Sequence, residues 1–286
     1  MRVFITGIDS FTGSHLLNYL DAEIFGSSLV RSGKQIYRCN ILEKERLQTI
    51  LEEVRPDAII HLAAISYVAY EKKEDFYRIN TIGSTNVIEA GLAAGCERFI
   101  LASSATVYGN QTPPYDEEMC PRPLDHYGAS KVAAEYIARN FFHEATIFIT
   151  RPFNYTGIGQ PSNFIVPKIV DHFCKKKPLE LGKLSSRREF NDISFVCEAY
   201  RRLLRVDAPS QILNICSGRS ISIEEVIKMM EDISGYSIEV TTNPKFIRNN
   251  DIENLQGSPQ KLFKLIGEIE QKPFEETLKE MYENCR

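Results

Sequence analysis

Tyr127 and Lys131 stand four residues apart in His126-Tyr127-Gly128-Ala129-Ser130-Lys131-Val132, a spacing that puts both on one face of a helix. A free phenol has a pKa near ~10, too high to exchange protons readily at neutral pH. An ammonium beside it favours the phenolate, so such a tyrosine could pass a proton to or from a substrate oxygen. The same spacing also occurs on solvated helix surfaces, so the pair carries weight only through the elements that would position it.

Three such elements are present. The N-terminus reads as a buried strand, Val3 to Thr6, and an amphipathic helix, Gly13 to Leu20. The turn between them is Gly7-x-x-Ser10-x-x-Gly13. Glycines there let a diphosphate approach the backbone, and the helix start offers free N–H donors. Ser10 replaces the middle glycine of the usual three, which is tolerable at negative φ or if its hydroxyl contacts phosphate. A second strand, Phe99 to Ala102, ends in Ser103-Ser104. In an open parallel sheet ligands lie beyond the carboxyl ends of the strands, so a serine there could bind the oxygen that Tyr127 protonates; turn chemistry is the plainer reading. A third strand, Ile59-Ile-His61, runs into Leu62-Ala63-Ala64, small residues that leave room for a flat ring. His61 itself reads as a satisfied core histidine without a role.

Together these motifs resemble the extended short-chain dehydrogenase/reductases that modify sugar nucleotides (the NAD-dependent epimerase/dehydratase family). Thr6-Gly7, His61-Leu-Ala-Ala64, Ser104, Tyr127-x-x-x-Lys131 and Arg151-Pro-Phe-Asn154 fall in that family's order along essentially the whole chain. The resemblance implies an α/β fold: a Rossmann-type doubly wound parallel sheet with a smaller C-terminal substrate-binding lobe. It places the NAD(P)-binding lobe at 1–155 and the nucleotide-sugar lobe at 156–286, with a segment near 187–204 returning to the first. Strands are expected near 2–6, 23–29, 58–62, 98–103 and 145–151, and helices near 13–20, 43–54, 72–94 and 127–142. After about residue 155 the alternation weakens, with Pro161, Pro167 and Pro178 interrupting it.

Carried over residue by residue, the resemblance implies Ser104, Tyr127 and Lys131 as catalytic residues. Gly7, Ser10, Phe11, Thr12, Gly13, Arg31, Asn40, Ile41, Leu62, Ala63 and Ala64, with Tyr127 and Lys131, would hold the cofactor. Ser66, Asn154, Lys168, Arg188 and Arg248 would hold the substrate; Arg188 and Arg248 suit a diphosphate, since a guanidinium fork matches phosphate oxygens. An NAD enzyme usually carries an acid at the end of its second strand. Here that position falls near Ser28, followed by Arg31 and Lys34, which favours NADP(H) and leaves NAD(H) possible. Asn40 stands where relatives often have an aspartate facing adenine.

Dehydratases of the family use a glutamate two residues after the strand-end hydroxyl, and this chain has Ser104-Ala105-Thr106. Threonine cannot do carboxylate work near neutral pH, though Glu117 or Glu118 could substitute in principle. The segments around Arg151–Gln160, Asn163–Ile169, Leu181–Ile193, Asn214–Gly218 and Phe246–Ile252 resemble GDP-4-keto-6-deoxy-D-mannose reductases, which make GDP-rhamnose. The expected activity is therefore NAD(P)H-dependent reduction of a C4 keto group on a GDP-linked 4-keto-6-deoxy sugar. A nucleotide-sugar 4-epimerase, a 4,6-dehydratase and a non-catalytic NADP(H) sensor stand as alternatives.

Composition agrees with a globular chain: 286 residues, 43% hydrophobic and 25% charged, with a net charge of −4. That charge gives no reason to expect nucleic acid or an anionic membrane as partner. No stretch reaches the ~20 apolar residues needed to span a bilayer, and the N-terminus enters a strand rather than a signal peptide. Seven scattered cysteines without Cys-x-x-Cys spacing suggest reduced thiols in a cytoplasm and no metal. In many relatives the helices near 72–94 and 127–142 form a homodimer interface; their apolar faces here could equally pack within one chain.

Overall fold

Short runs of three to seven residues become the strands at the centre of the molecule. In the computed structural model, which describes residues 1–246 and 252–285, they form β1 (Arg2–Thr6), β2 (Glu23–Ser28), β3 (Ile36–Arg38), β4 (Ala58–His61), β5 (Arg98–Ala102), β6 (Thr146–Pro152) and β7 (Gln211–Ile215). All neighbours pair in parallel, in the order β3-β2-β1-β4-β5-β6-β7. The order reverses between β1 and β4, which opens a crevice at their carboxyl ends.

Successive side chains of a strand point to opposite faces, and both faces are covered. Val3, Ile5, Ile60, Ile100 and Phe148 share one core with helix α6 (Ile193–Leu203), including Phe195, Val196, Ala199 and Tyr200. Phe4, Ile59, Phe99, Ile147 and Ile149 pack on the other side against Leu47, Leu51 and Val54 of α2 (Lys44–Val54) and Val87, Ile88 and Ala90 of α3 (Ser84–Ala93). Burial on both faces is why these strands read as continuous apolar runs rather than alternating ones. Helix α1 (Phe11–Leu16) follows β1, and α4 (His126–Arg139) follows the long connection after β5.

Beyond β6, α5 (Ile165–Cys174), α7 (Ile223–Ser234) and α9 (Phe274–Glu283) enclose a separate core containing Phe173, Met230 and Leu278. The helix Gln260–Ile266, α8, packs instead beside the main sheet through Leu262. Pro167 does not break α5, because it falls in the first turn, where the missing N–H has no intrahelical acceptor to lose. A three-stranded sheet of Ile221–Ser222, Arg187–Arg188 and Asn254–Leu255 borders this part.

Three expectations need correction. The edge strand β3 and strand β7 were not anticipated; β3 is short and partly exposed, and β7 follows a loop after a proline-interrupted stretch. The single helix expected over 72–94 is divided into Lys73–Asp75, a wide-turn π segment Phe76–Gly83, and α3. The cysteines are not all thiols: Cys174, at the end of α5, is joined to Cys285, just past α9, across 111 residues. Packing of those two helices brings the sulfurs together, which no spacing along the chain could show. Among the described residues no helix is long and apolar enough to cross a membrane.

Candidate active site

Tyr127 lies in the first turn of α4, which is fixed by Asp125: its side chain accepts from the Gly128 N–H at 2.7 Å. Tyr127, Lys131 and Ser104 are all buried, with exposures of 8%, 4% and 8%. Ser104 ends the loop from β5 and caps the short turn Ala105–Tyr108. Its Oγ accepts from the Thr106 amide at 3.2 Å and the Thr106 hydroxyl at 2.9 Å. Both acceptor lone pairs are thereby occupied, and the one Ser104 proton is left to point outward. The Ser104 hydroxyl near the Tyr127 phenol favours the phenolate.

Burial nevertheless wins at Tyr127 and pushes its pKa up to about 12. The lowering by Lys131 expected from the sequence is thus overturned in this arrangement. The Lys131 ammonium donates to the Ala102 carbonyl at 2.8 Å, while burial lowers its pKa to about 8 against the opposing pull of Glu135. Tyr127 consequently holds its proton, as a donor should, and Lys131 is poised near neutrality.

Behind them lies a buried polar network that the motifs did not reveal. Glu135, one turn beyond Lys131, accepts from Ser103 Oγ at 2.5 Å and from Arg151 Nε and Nη2 at 3.0 and 2.6 Å. Arg151 stacks over Tyr108 with its guanidinium 4.7 Å from the ring centre. The i+4 spacing from Lys131 was the one available signal for Glu135. Asn80, in the π segment, is likewise fully buried. Its Oδ1 accepts from the Ile65 amide at 2.8 Å, and its Nδ2 donates to the Ile65 carbonyl and Ser130 Oγ at 3.0 and 3.1 Å. It therefore ties the loop after β4 to the helix that carries Tyr127.

The remaining residues expected to hold the cofactor lie beyond the carboxyl ends of β1 to β4. Ser10 stays at φ −67° and its hydroxyl accepts from the Gly13 amide at 3.1 Å, so it caps α1 and tolerates the missing glycine. Gly7 has φ +70°, and a Cβ there would meet Ala63 at 3.1 Å; a Cβ on Gly13 would meet the Gly7 carbonyl at 2.5 Å. Only glycines allow this close turn, which is the cradle a dinucleotide diphosphate requires. Phe11 stacks on Tyr155, whose hydroxyl bonds Thr12 Oγ1 at 2.8 Å. Leu62, Ala63 and Ala64 follow β4 and are half-buried. Asn40 Oδ1 accepts from the Leu42 amide at 3.0 Å, and Ile41 is buried against Gly83. Arg31 and Lys34 are exposed beyond β2.

His61 is a satisfied core residue. The Ser84 hydroxyl donates to the Asn80 carbonyl at 2.6 Å, so His61 Nε2 donates to Ser84 at 2.8 Å and its Nδ1 accepts from Thr6 Oγ1 at 2.7 Å. Burial, with Lys131 nearby, lowers its pKa to about 3, and the ring stays neutral.

Of the expected substrate residues, Ser66 is exposed after β4 and Asn154 is half-buried after β6, its carbonyl accepting from the Asn191 amide at 3.0 Å. Lys168, on α5, donates to the Glu180 carbonyl at 2.7 Å and lies 4.8 Å from the centre of the Phe246 ring. Arg188 donates to the Arg187 carbonyl at 2.8 Å. The adjoining Glu189, missed in the sequence, is fully buried and gathers the amides of Ser217, Gly218 and Gly257 at 2.7, 3.2 and 2.6 Å. Arg248 lies outside the described residues. Of the two acids offered for dehydration, Glu117 accepts from the Asn214 amide at 2.7 Å and Glu118 is exposed and faces Lys261 at 3.9 Å.

A doubly wound parallel sheet, a glycine cradle at its switch point, and a serine and tyrosine beside a buried lysine define an NAD(P)-dependent oxidoreductase of the extended short-chain type. The chain belongs to the GDP-mannose 4,6 dehydratase family, whose model matches residues 4–281. It is 32% identical to GDP-6-deoxy-D-talose 4-dehydrogenase of Aggregatibacter actinomycetemcomitans, covering 99% of this chain and 98% of the relative. It is 31% identical to GDP-6-deoxy-D-mannose reductase of Pseudomonas aeruginosa, covering 93% and 91%. The structure of RMD from Pseudomonas aeruginosa complexed with NADPH superposes with a TM-score of 0.88 at 29% identity, covering 99% of this chain and 98% of that one.

Proposed function

We propose that this chain reduces the C4 keto group of a nucleotide-diphosphate 4-keto-6-deoxy sugar, converting GDP-4-keto-6-deoxy-D-mannose to GDP-rhamnose, with NADP(H) favoured and NAD(H) possible. The observation that carries the reading is the buried set of Ser104, Tyr127 and Lys131 beyond β5, with Thr106 rather than a carboxylate two residues after Ser104. When bound, the reduced nicotinamide supplies the hydride. Ser104 donates to the carbonyl oxygen and orients it, and Tyr127 transfers its proton to the emerging alkoxide. The Lys131 ammonium adds positive charge beside the reacting oxygens. Asn154, Lys168, Arg188 and Arg248 are proposed to hold the nucleotide sugar. Residues 1–155 are proposed as the cofactor lobe and 156–286 as the substrate lobe, with 187–204 returning to the first; α6 shares its core with β1 and β4, and β7 and α8 return to that sheet as well.

The purified protein, given NADPH and GDP-4-keto-6-deoxy-D-mannose, should consume both in equal amounts and yield a GDP-deoxyhexose. Interconversion of nucleotide hexoses with bound NAD alone would establish the epimerase instead. NADP(H) binding without turnover on any sugar nucleotide would point to a sensor. Because Lys131 loses its charge near pH 8, kcat/KM for NADPH, which reports the free enzyme, should fall through one ionisation there as pH rises. A profile flat well into the alkaline range would remove Lys131 charge from the mechanism.

A homodimer through α4 and the neighbouring π segment accompanies this reading. Tyr77, Ile82 and Tyr136 are 38%, 54% and 56% exposed there. A monomeric mass by light scattering at micromolar concentration would overturn it. We also place the enzyme in the cytoplasm, where nucleotide sugars and NADPH are pooled; recovery in a secreted fraction would contradict this.

A further inference from the structure

The end of β2 is where a dinucleotide fold normally presents an acid to the adenosine ribose, and in this chain that place holds the buried, neutral Ser28. Its hydroxyl has one proton and two lone pairs. The proton goes to Asp9 Oδ2 at 2.6 Å, and the lone pairs accept from the Val30 and Arg31 amides at 3.1 and 3.0 Å. Ser28 is therefore saturated and cannot receive a 2′-phosphate, contrary to what its position in the sequence suggests. What its hydroxyl does is pin a carboxylate, brought from the glycine turn between β1 and α1, against the end of β2.

We infer that Asp9 is the residue that sets the choice between NAD(H) and NADP(H), an inference that rests on the cofactor reading above. Asp9 is exposed, and a carboxylate has about four acceptor sites, of which Ser28 uses one. The rest can accept from ribose hydroxyls, and its charge repels a 2′-phosphate. Opposing it are Arg31 and Arg38. The Arg31 amide is anchored on the same serine, and Arg38 Nε donates to the Leu29 carbonyl at 3.2 Å. One acid and two guanidinium-bearing residues thus meet at a single strand end, and Asp9 is the group that holds back an otherwise phosphate-selective corner.

The test uses the whole chain and two probes, adenosine 2′,5′-bisphosphate and adenosine 5′-monophosphate, with affinities read by calorimetry in wild type, Asp9→Asn and Asp9→Ala. Asparagine keeps an acceptor for Ser28, so the turn should survive that change. Both variants should raise the preference for the bisphosphate about threefold to tenfold, and the gain should shrink in high salt as charge effects do. If both probes bind and the ratio is the same in all three proteins, Asp9 is not the determinant and the cofactor site still stands. If wild type binds neither probe, the cofactor reading itself fails and takes this inference with it.

Discussion

Replacing Tyr127 with phenylalanine should lower kcat by about 10²–10⁴-fold, the usual contribution of a positioned general acid, while NADPH affinity measured by calorimetry stays close to wild type. The phenol is buried and holds its proton. Phenylalanine preserves its packing against Phe76, whose ring centre lies 6.1 Å away, and removes only the acid. The size of the effect follows from the absence of a substitute. Thr106 is bonded to Ser104, Glu117 to the Asn214 amide, and His61 is neutral within its own hydrogen-bond chain. Most of the turnover surviving in Tyr127→Phe would mean that solvent or Ser104 supplies the proton.

Glu135→Gln is expected to cost about 3–5 kcal/mol of stability, the penalty for leaving a buried charge unpaired. Glu135 and Arg151 are 3% and 2% exposed and meet through two hydrogen bonds. Neutralising the acid strands the guanidinium over Tyr108, where Arg151 Nη1 already lacks a partner. Urea titration should show a lower midpoint with an unchanged slope. A second readout separates structure from chemistry: Glu135 opposes the burial that lowers the Lys131 pKa, so the alkaline limb of kcat/KM should move to lower pH in the variant. The double variant Glu135→Leu with Arg151→Met should recover much of the lost stability, because an apolar pair carries no desolvation penalty. A single variant as stable as wild type would show that water reaches the pair.

Much of this molecule was legible before any coordinates. β1, β2, β4, β5 and β6 fall within a residue or two of where apolar runs place them, because strands buried on both faces must be continuously apolar. The Gly7–Gly13 turn was legible because only glycine allows its positive φ and close approach. Tyr127 and Lys131 share a helix face because the helical period requires it.

Other features depended on pairs of residues far apart in the chain. Glu135 is an ordinary helix acid until β6 brings Arg151 against it. Asn80 is one polar residue among many in a mixed helical stretch until the loop after β4 folds over it. Asp9 looks like a turn residue until β2 delivers the Ser28 hydroxyl. Cys174 and Cys285 are unrelated until α5 and α9 pack. The Tyr127 pKa reversed direction for the same reason. Spacing along a helix fixes which groups are neighbours, but burial, which decides whether charge is tolerated, is set by everything packed around them. The sequence by itself determined five of the seven strands, the close glycine turn and the helix face that Tyr127 and Lys131 share, since these follow from local periodicity and steric freedom. The tertiary structure alone decided their protonation, their partners and the charge at the end of β2, since those are fixed by contacts between distant segments.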